Sequence, residues 1–120
     1  MSLDIELYYD DIEDIPDDTD SVDDWNTVYW ANITHNLGTM AEALGIYNCL
    51  WHPYNARIET AGDLIDPLKI AINMMKGSPE RYKKFDAPNK WDNYDDFLPW
   101  LERLLVACEK HQNAKIRVSI

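Results

Sequence analysis

The segment WANITHNL, residues 30–37, concentrates polar side chains that could bind a ligand or perform acid–base chemistry. They are Asn32, Thr34, His35 and Asn36. Their amide, hydroxyl and imidazole groups donate and accept hydrogen bonds, and they stand where a strand-like run, TVYWANI, gives way to a predicted helix. The free N–H groups of a helix N-terminus attract phosphate or carboxylate groups. The segment therefore predicts a small-ligand site for a phosphate, a carboxylate or a purine edge.

The same residue types also have a purely structural interpretation. Thr34 or Asn36 would cap the helix, because a side-chain oxygen at that position accepts a hydrogen bond from an N–H group of the first turn. His35 would then bond to a backbone carbonyl. One cap needs only one such side chain, whereas the segment offers several, so both interpretations stay open.

Aromatic side chains in or near the predicted loops extend the candidate ligand site. Stacking of a nucleotide base on such a ring contributes about 1–3 kcal/mol per base. The alternative is that these rings close the edges of the core in a small domain. The candidate ligand-binding residues are Asn32, Thr34, His35, Asn36, Trp51, Arg57, Trp91 and Tyr94, with Arg81, Lys83 and Lys84 as further bases near enough to meet phosphate.

Catalytic and metal-binding motifs are missing from the sequence. It contains no GxSxG, GxxxxGK[ST] or GxGxxG pattern, and its three histidines have neither HxxxH nor HxH spacing. The aspartates lack the glycine and final glutamate of an EF-hand loop. We therefore expect no metal site and no cofactor, and His35 acting as a general base is the one enzymatic hypothesis that remains.

Charge is distributed unevenly along the chain. Residues 1–56 contain twelve acidic side chains and no Lys or Arg, and nine of the acids fall within residues 10–24. This acidic stretch is predicted to be an exposed loop, and it is either simply solvated or a mimic of a nucleic-acid backbone that docks on a basic host protein. A net charge of −11 repels phosphate backbones, which argues against direct binding to nucleic acid.

The overall composition predicts one soluble domain. The chain of 120 residues is 46% hydrophobic, which is too apolar for a disordered protein. No apolar run approaches the roughly 20 residues that span a bilayer, and the acidic N-terminus does not resemble a signal peptide, so we expect a cytoplasmic protein without membrane contact. Cys49 and Cys108 lie in apolar surroundings and are predicted to be free thiols.

Three strands are predicted from side-chain alternation and residue type. LDIELYY, residues 3–9, alternates apolar and polar side chains, and TVYWANI, residues 27–33, is rich in β-branched and aromatic residues. These two strands are expected to pair antiparallel, with the acidic stretch as their connection. AKIRVSI, residues 114–120, alternates again and predicts the third strand.

Helical periodicity fills the middle of the chain. A short helix is expected to end at Gly45, and a helical turn followed by a loop is expected within 46–58. Thr60 begins the next helix, in which Pro67 either produces a kink or starts a fresh helix capped by Asp66. The segment PERYKKF adds a turn, and YDDFLPWLERLLVACEKH, preceded by Asn93 as its cap, is the strongest helix. The predicted class is α+β, with three to four helices on a small antiparallel or mixed sheet of about three strands.

Three stretches of this sequence resemble a family of small acidic proteins encoded by bacteriophages and found scattered through bacterial genomes. They are WANITHNLGTMAEALGIYNCLW, TAGDLIDPLKIAINMM and YDDFLPWLERLLVACEKHQNAKIRVSI, and the NITHNL run is the most specific part. The chain departs from the family pattern at KWDNYDDF, residues 90–97, where a Gly-Trp-Gly turn is expected. The resemblance implies a phage setting and supplies no catalytic residue.

Three functional hypotheses follow. The first is a non-enzymatic phage accessory protein that binds a small nucleotide-like ligand, for instance to sequester a signal of antiphage immunity, in a pocket completed across a homo-oligomer interface by Arg57 or Arg81. The second is an acidic inhibitor that binds a host protein through residues 10–24. The third is a small enzyme with His35 as its base. We favour the first, because the polar cluster has the weaker structural explanation.

Overall fold

A computed structural model describes residues 2–10, 27–86 and 93–120. Trp91 and nearly all of the predicted acidic loop, from residue 11 onwards, lie outside these ranges. The described residues form an α+β fold, as predicted, in which a three-stranded sheet is combined with five α-helices.

The sheet is antiparallel and has the first strand at its centre. Strand β1 (Ser2–Tyr8) pairs with β2 (Thr27–Thr34) on one side and with β3 (Lys115–Ser119) on the other. Alternate side chains of β1 are completely buried, because successive residues of a strand point to opposite faces of the sheet. All three predicted strands and the antiparallel pairing of the first two are confirmed.

The helices follow β2 in a continuous series. A 3₁₀ turn (His35–Leu37) leads into α1 (Gly38–Ala43), which is followed by α2 (Tyr47–Trp51) and the long α3 (Ala61–Gly77). The series is completed by α4 (Pro79–Lys83) and α5 (Tyr94–Lys110). The helices number more than the predicted three to four, because the segment after Gly45 makes a separate short helix and Pro79 starts another.

Helix α1 ends at the glycine that the sequence predicted. Gly45 has φ +77°, a left-handed conformation that residues with a Cβ atom rarely adopt. The Gly45 N–H bonds to the Glu42 carbonyl, and the Ile46 N–H reaches back to the Ala41 carbonyl. These two hydrogen bonds form a Schellman motif, which satisfies the last carbonyls of the helix and turns the chain towards α2.

Helix α3 runs through Pro67 without a break. The expectation that Asp66 caps a fresh helix is therefore wrong. Proline lacks an N–H group, so only the carbonyl four residues earlier, that of Asp63, loses its helical partner. Asp63 is exposed, and water can hydrate that carbonyl.

A capping box begins α3, and it makes the stability of the protein depend on pH. The Asp63 carboxylate accepts hydrogen bonds from the N–H groups of Glu59 (3.0 Å) and Thr60 (3.1 Å), and these bonds lower the pKa of Asp63. A lowered pKa in the folded state stabilises the protein above the ordinary pKa near 3.8, and this contribution disappears as the pH falls through the folded-state value.

We expect Asp63→Ala to reduce the free energy of unfolding by about 1 kcal/mol at neutral pH. The difference from wild type should vanish in acid, because the carboxylate is then protonated in both the folded and the unfolded wild-type chain. Urea titrations at neutral pH and near pH 2 measure both values. Asp66→Ala is the matched control, since its exposed side chain makes no hydrogen bond with described residues; an equal loss at both pH values would contradict the prediction.

Candidate functional site

The corner after β2 uses its threonine as a cap. The Thr34 side-chain oxygen accepts a hydrogen bond from the Asn36 N–H at 3.3 Å, which makes Thr34 the N-cap of the 3₁₀ turn. The Asn36 side chain is exposed and makes no hydrogen bond with described residues. The capping contact is the one expected from the structural interpretation of WANITHNL.

Asn32 is engaged on both its side chain and its backbone. Its amide nitrogen donates to Asp4 Oδ1 (2.5 Å) and Ser2 Oγ (2.9 Å) on the neighbouring strand β1. Its carbonyl oxygen accepts a hydrogen bond from Trp100 Nε1 of α5 at 3.0 Å. Asn32 therefore ties β2 to the rest of the fold.

His35 and Trp51, two of the candidate residues, meet directly. The indole Nε1–H of Trp51 donates to His35 Nδ1 at 2.8 Å. Trp51 is 2% exposed, and the ring of Tyr47 stacks on it with centroids 5.1 Å apart and planes 11° apart. His35 thus bonds to an indole and not, as the structural interpretation expected, to a backbone carbonyl.

This hydrogen bond indicates which ring nitrogen of His35 acts as the acceptor. An imidazole that accepts at Nδ1 is neutral and carries its proton on Nε2. Neither nitrogen then has a free lone pair, so His35 would have to break its bond to Trp51 before it could take a proton. The geometry disfavours His35 as a general base.

The remaining candidates are separate from this pair. Arg57 is exposed in the loop after α2, with φ +60°. Tyr94 is buried at the start of α5, where its hydroxyl donates to the Met75 carbonyl at 2.7 Å. No hydrogen bond, ion pair or ring contact joins either residue to His35 within the described ranges.

Tyr94→Phe should lower the free energy of unfolding by about 1–3 kcal/mol, because it leaves the carbonyl of the fully buried Met75 without its partner. Chemical denaturation monitored by circular dichroism measures this loss. Tyr54→Phe is the control, since Tyr54 is 90% exposed and its hydroxyl makes no described hydrogen bond. Equal stability of the two variants would show that the Tyr94 hydroxyl does not hold α5 to α3.

A groove of about 540 Å³ lies between β2 and the C-terminal half of α5, and we call it the β2/α5 groove. Its volume is within the range of roughly 300–1,000 Å³ that small-molecule sites occupy. Val28, Ala107 and His111 are buried, whereas Val106 is 64% exposed. The groove is lined by Val28, Tyr29, Glu102, Arg103, Val106, Ala107, Lys110 and His111.

Positive charge dominates the described part of the β2/α5 groove. Glu102, its one acidic residue, is paired with Lys76 at 3.1 Å. Arg103 lies beside the phenol of Tyr29, and neither Arg103 nor Lys110 makes an ion pair with a described carboxylate. Burial raises the pKa of Tyr29 and the guanidinium of Arg103 opposes the rise, so the phenol stays protonated at neutral pH.

A buried tyrosine–histidine pair supports one wall of the groove. Tyr9 Oη and His111 Nδ1 are 3.1 Å apart, and their rings meet edge to face with centroids at 5.9 Å. His111, directly after α5, is 4% exposed. The bond connects the end of α5 to the end of β1, which fixes the position of the helix that carries Arg103 and Lys110.

Sequence reasoning missed this groove, although a signal was present. The side chains in question are on one helix face: Arg103, Ala107, Lys110 and His111 follow helical spacing and form a second stripe beside the apolar core stripe of α5.

Among the described residues no cluster of three His, Cys, Asp or Glu side chains is arranged to hold a metal ion. Over the same described ranges, no helix is both long and apolar enough to cross a membrane.

Comparison of the chain with protein-family models, with curated protein sequences and with solved structures gave no match.

Proposed function

We propose that this protein is a non-enzymatic binding protein for a small nucleotide-like ligand, which it holds in the β2/α5 groove. The observation that carries the proposal is that Arg103 and Lys110 flank an apolar groove without an acidic partner among the described residues. Six of the ten described Lys and Arg residues form no ion pair with a described carboxylate. Arg103 and Lys110 are the two of these six that line one groove, two turns apart on the same helix, and together they form a local site for an anion.

The groove offers separate contacts for the ring and for the phosphate of such a ligand. The apolar side chains of Val28, Val106 and Ala107 suit a flat ring, and the ring of Tyr29 provides a surface for stacking. Arg103 provides a planar guanidinium that can bind a phosphate through two N–H groups, and Lys110 adds a second positive charge. The ligand class is therefore an anion with an aromatic or heterocyclic ring.

The β2/α5 groove is a better place for this ligand than WANITHNL. The Asn32 amide, the Thr34 hydroxyl and the His35 Nδ1 atom are all used in contacts within the protein. A ligand at that corner would have to replace these hydrogen bonds, whereas a ligand in the groove would supply partners to Arg103 and Lys110. We therefore keep the ligand class expected from the sequence, a small nucleotide-like molecule, and propose that it binds in the β2/α5 groove instead of at WANITHNL.

A phage setting, which the sequence resemblance suggests, gives this binding a biological purpose. A protein that only binds a signalling nucleotide lowers its free concentration, and no chemistry is required. We propose sequestration of such a signal as the role of the groove.

The test is a thermal-shift screen of the whole protein against cyclic dinucleotides, cyclic ADP-ribose isomers and common nucleotides. A ligand that binds only the folded state adds about 2.7 kcal/mol of stability at 100 times its dissociation constant. We expect at least one of these compounds to raise the melting temperature. The shift should be lost in the double variant Arg103→Gln and Lys110→Gln.

The matched control is the double variant Lys69→Gln and Lys115→Gln, which removes the same charge from two exposed lysines that neither line the groove nor pair with a residue that lines it, and it should retain binding. A shift that survives in the groove variant but is lost in His35→Ala with Asn36→Ala would move the site back to WANITHNL. The absence of a shift with every compound would overturn the proposal.

A further inference from the structure

Helix α5 repeats one pair of charged side chains after seven residues. Glu102 is followed by Arg103, and Glu109 is followed by Lys110. Seven residues make almost two complete turns, so the second pair lies on the same side of the helix as the first, about 10 Å further along its axis. The helix therefore presents the same arrangement of an acid and a base at two levels.

The ion pairs of the two acids show where these acids point. The Glu102 carboxylate is 3.1 Å from Lys76 Nζ, and the Glu109 carboxylate is 3.9 Å from Lys69 Nζ. Both lysines belong to α3, so the acids are directed towards that helix at both levels. The residue that follows each acid is rotated by about 100° around the helix axis. The two bases are thus directed away from the acids that precede them, and both line the β2/α5 groove.

The surface between the two bases is apolar. Ala107 lies four residues after Arg103 and three before Lys110, on the same side of the helix, and it is 8% exposed. Its methyl group extends much less far from the helix than the two basic side chains do. Val28 of β2 is also buried along this groove. The groove consequently has a cation on either side of an apolar floor.

We infer that the ligand of the β2/α5 groove is a nucleotide with two phosphates on separate oxygens of its sugar, one for Arg103 and one for Lys110. This inference rests on the proposed function and specifies its ligand. Two phosphates joined as a diphosphate share a bridging oxygen, so both would lie at one cation unless the two positive side chains converged against their mutual repulsion. Phosphates separated by a sugar can reach both cations while the ligand covers the floor formed by Ala107.

The second cation determines the expected gain in affinity. A hydrogen-bonded contact with a charged group changes a dissociation constant about tenfold or more. The net charge of −11 opposes the binding of any anion, so a phosphate that meets no cation should weaken binding. This penalty falls on a joined diphosphate, whose second phosphate has no cation of its own.

Isothermal titration calorimetry of the whole protein with adenosine 3′,5′-bisphosphate and with ADP tests the inference. The two compounds are isomers that have the same base, the same sugar and two phosphates, and they differ in whether the phosphates are separate or joined. We expect the bisphosphate to bind about tenfold or more tightly than ADP or AMP. Cyclic diadenylate also has two separate phosphates but carries less charge than ADP, so its tighter binding would show that the spacing of the phosphates decides.

Single substitutions test the assignment of one phosphate to each cation. Arg103→Gln and Lys110→Gln change exposed side chains, and each should lower the affinity for the bisphosphate about tenfold or more. In either variant the bisphosphate should bind no more tightly than AMP does. Lys69→Gln with Lys115→Gln is the matched control and should keep the preference for the bisphosphate. Melting temperatures without ligand verify that each variant is folded.

Two results would overturn the inference and leave the proposed function standing. The first is ADP binding as tightly as both compounds with separate phosphates. The second is a preference for the bisphosphate that survives in Arg103→Gln or in Lys110→Gln, because the substituted cation would then hold no phosphate. Binding of none of these adenine compounds would also overturn the inference, whereas the proposed function fails only if the wider thermal-shift screen gives no hit. Tight binding of the bisphosphate alone or of cyclic diadenylate alone would support the inference and identify the phosphates as terminal or as part of a ring.

Discussion

Trp51→Ala should lower the free energy of unfolding by about 3–5 kcal/mol, the usual cost of removing a large aromatic side chain from a core. Trp51 is 2% exposed, stacks on Tyr47 and donates its indole hydrogen to His35. The substitution leaves a cavity beside α2 and removes the partner of His35 Nδ1. Urea unfolding monitored by circular dichroism measures the loss.

The hydrogen bond can be separated from the packing by a double-mutant cycle. Trp51→Phe keeps an aromatic ring but has no N–H donor, and His35→Ala removes the acceptor. The two changes together should destabilise the protein less than the sum of the single changes, by about 1 kcal/mol. Exact additivity would mean that the 2.8 Å contact contributes nothing to stability.

Cys108 should be close to unreactive in the folded protein. Burial raises the pKa of its thiol from an ordinary value of 9.0 to about 12, with Glu109 adding to the rise. Because the thiolate is the reactive form, a shift of this size lowers the reactive fraction about a thousandfold. Alkylation of Cys108 should therefore proceed only through unfolding, and its rate should follow the unfolding equilibrium in a urea series.

Cys49 is the internal control for this measurement. Its pKa is also raised by burial, but the side chain is only half-buried, so reagent can reach it in the folded state. Mass spectrometry of peptides after timed alkylation distinguishes the two residues. Labelling of Cys108 at the rate of Cys49 in the absence of urea would show that α5 opens locally.

The features that could be predicted from the sequence are local ones. The alternation of Leu3, Ile5 and Leu7 predicts β1, and Thr60 and Asn93 begin their helices through capping boxes that depend on residues three positions later. Gly45 adopts the conformation that its position after a helix requires. In each case the decisive contact is made within a few residues along the chain.

The candidate site was harder to predict because its contacts depend on register and on helix placement. Asn32 meets Asp4 only because β1 and β2 pair in one register, and nothing near Asn32 in the sequence specifies that partner. The β2/α5 groove likewise brings Tyr29 together with Arg103, which lies far along the chain. Their meeting depends on how α5 packs against the sheet, which helical periodicity alone does not define.

The position of β1 at the centre of the sheet also affects the order in which the protein can be assembled during synthesis. Leu7 is made 109 residues before one of its strand partners, Ile116. Until the ribosome has released that segment, β1 has one edge unpaired, and such an edge can pair with another chain. The sheet therefore closes only after synthesis of β3, and a nascent chain that ends before Lys115 would expose the strand around which the fold is built.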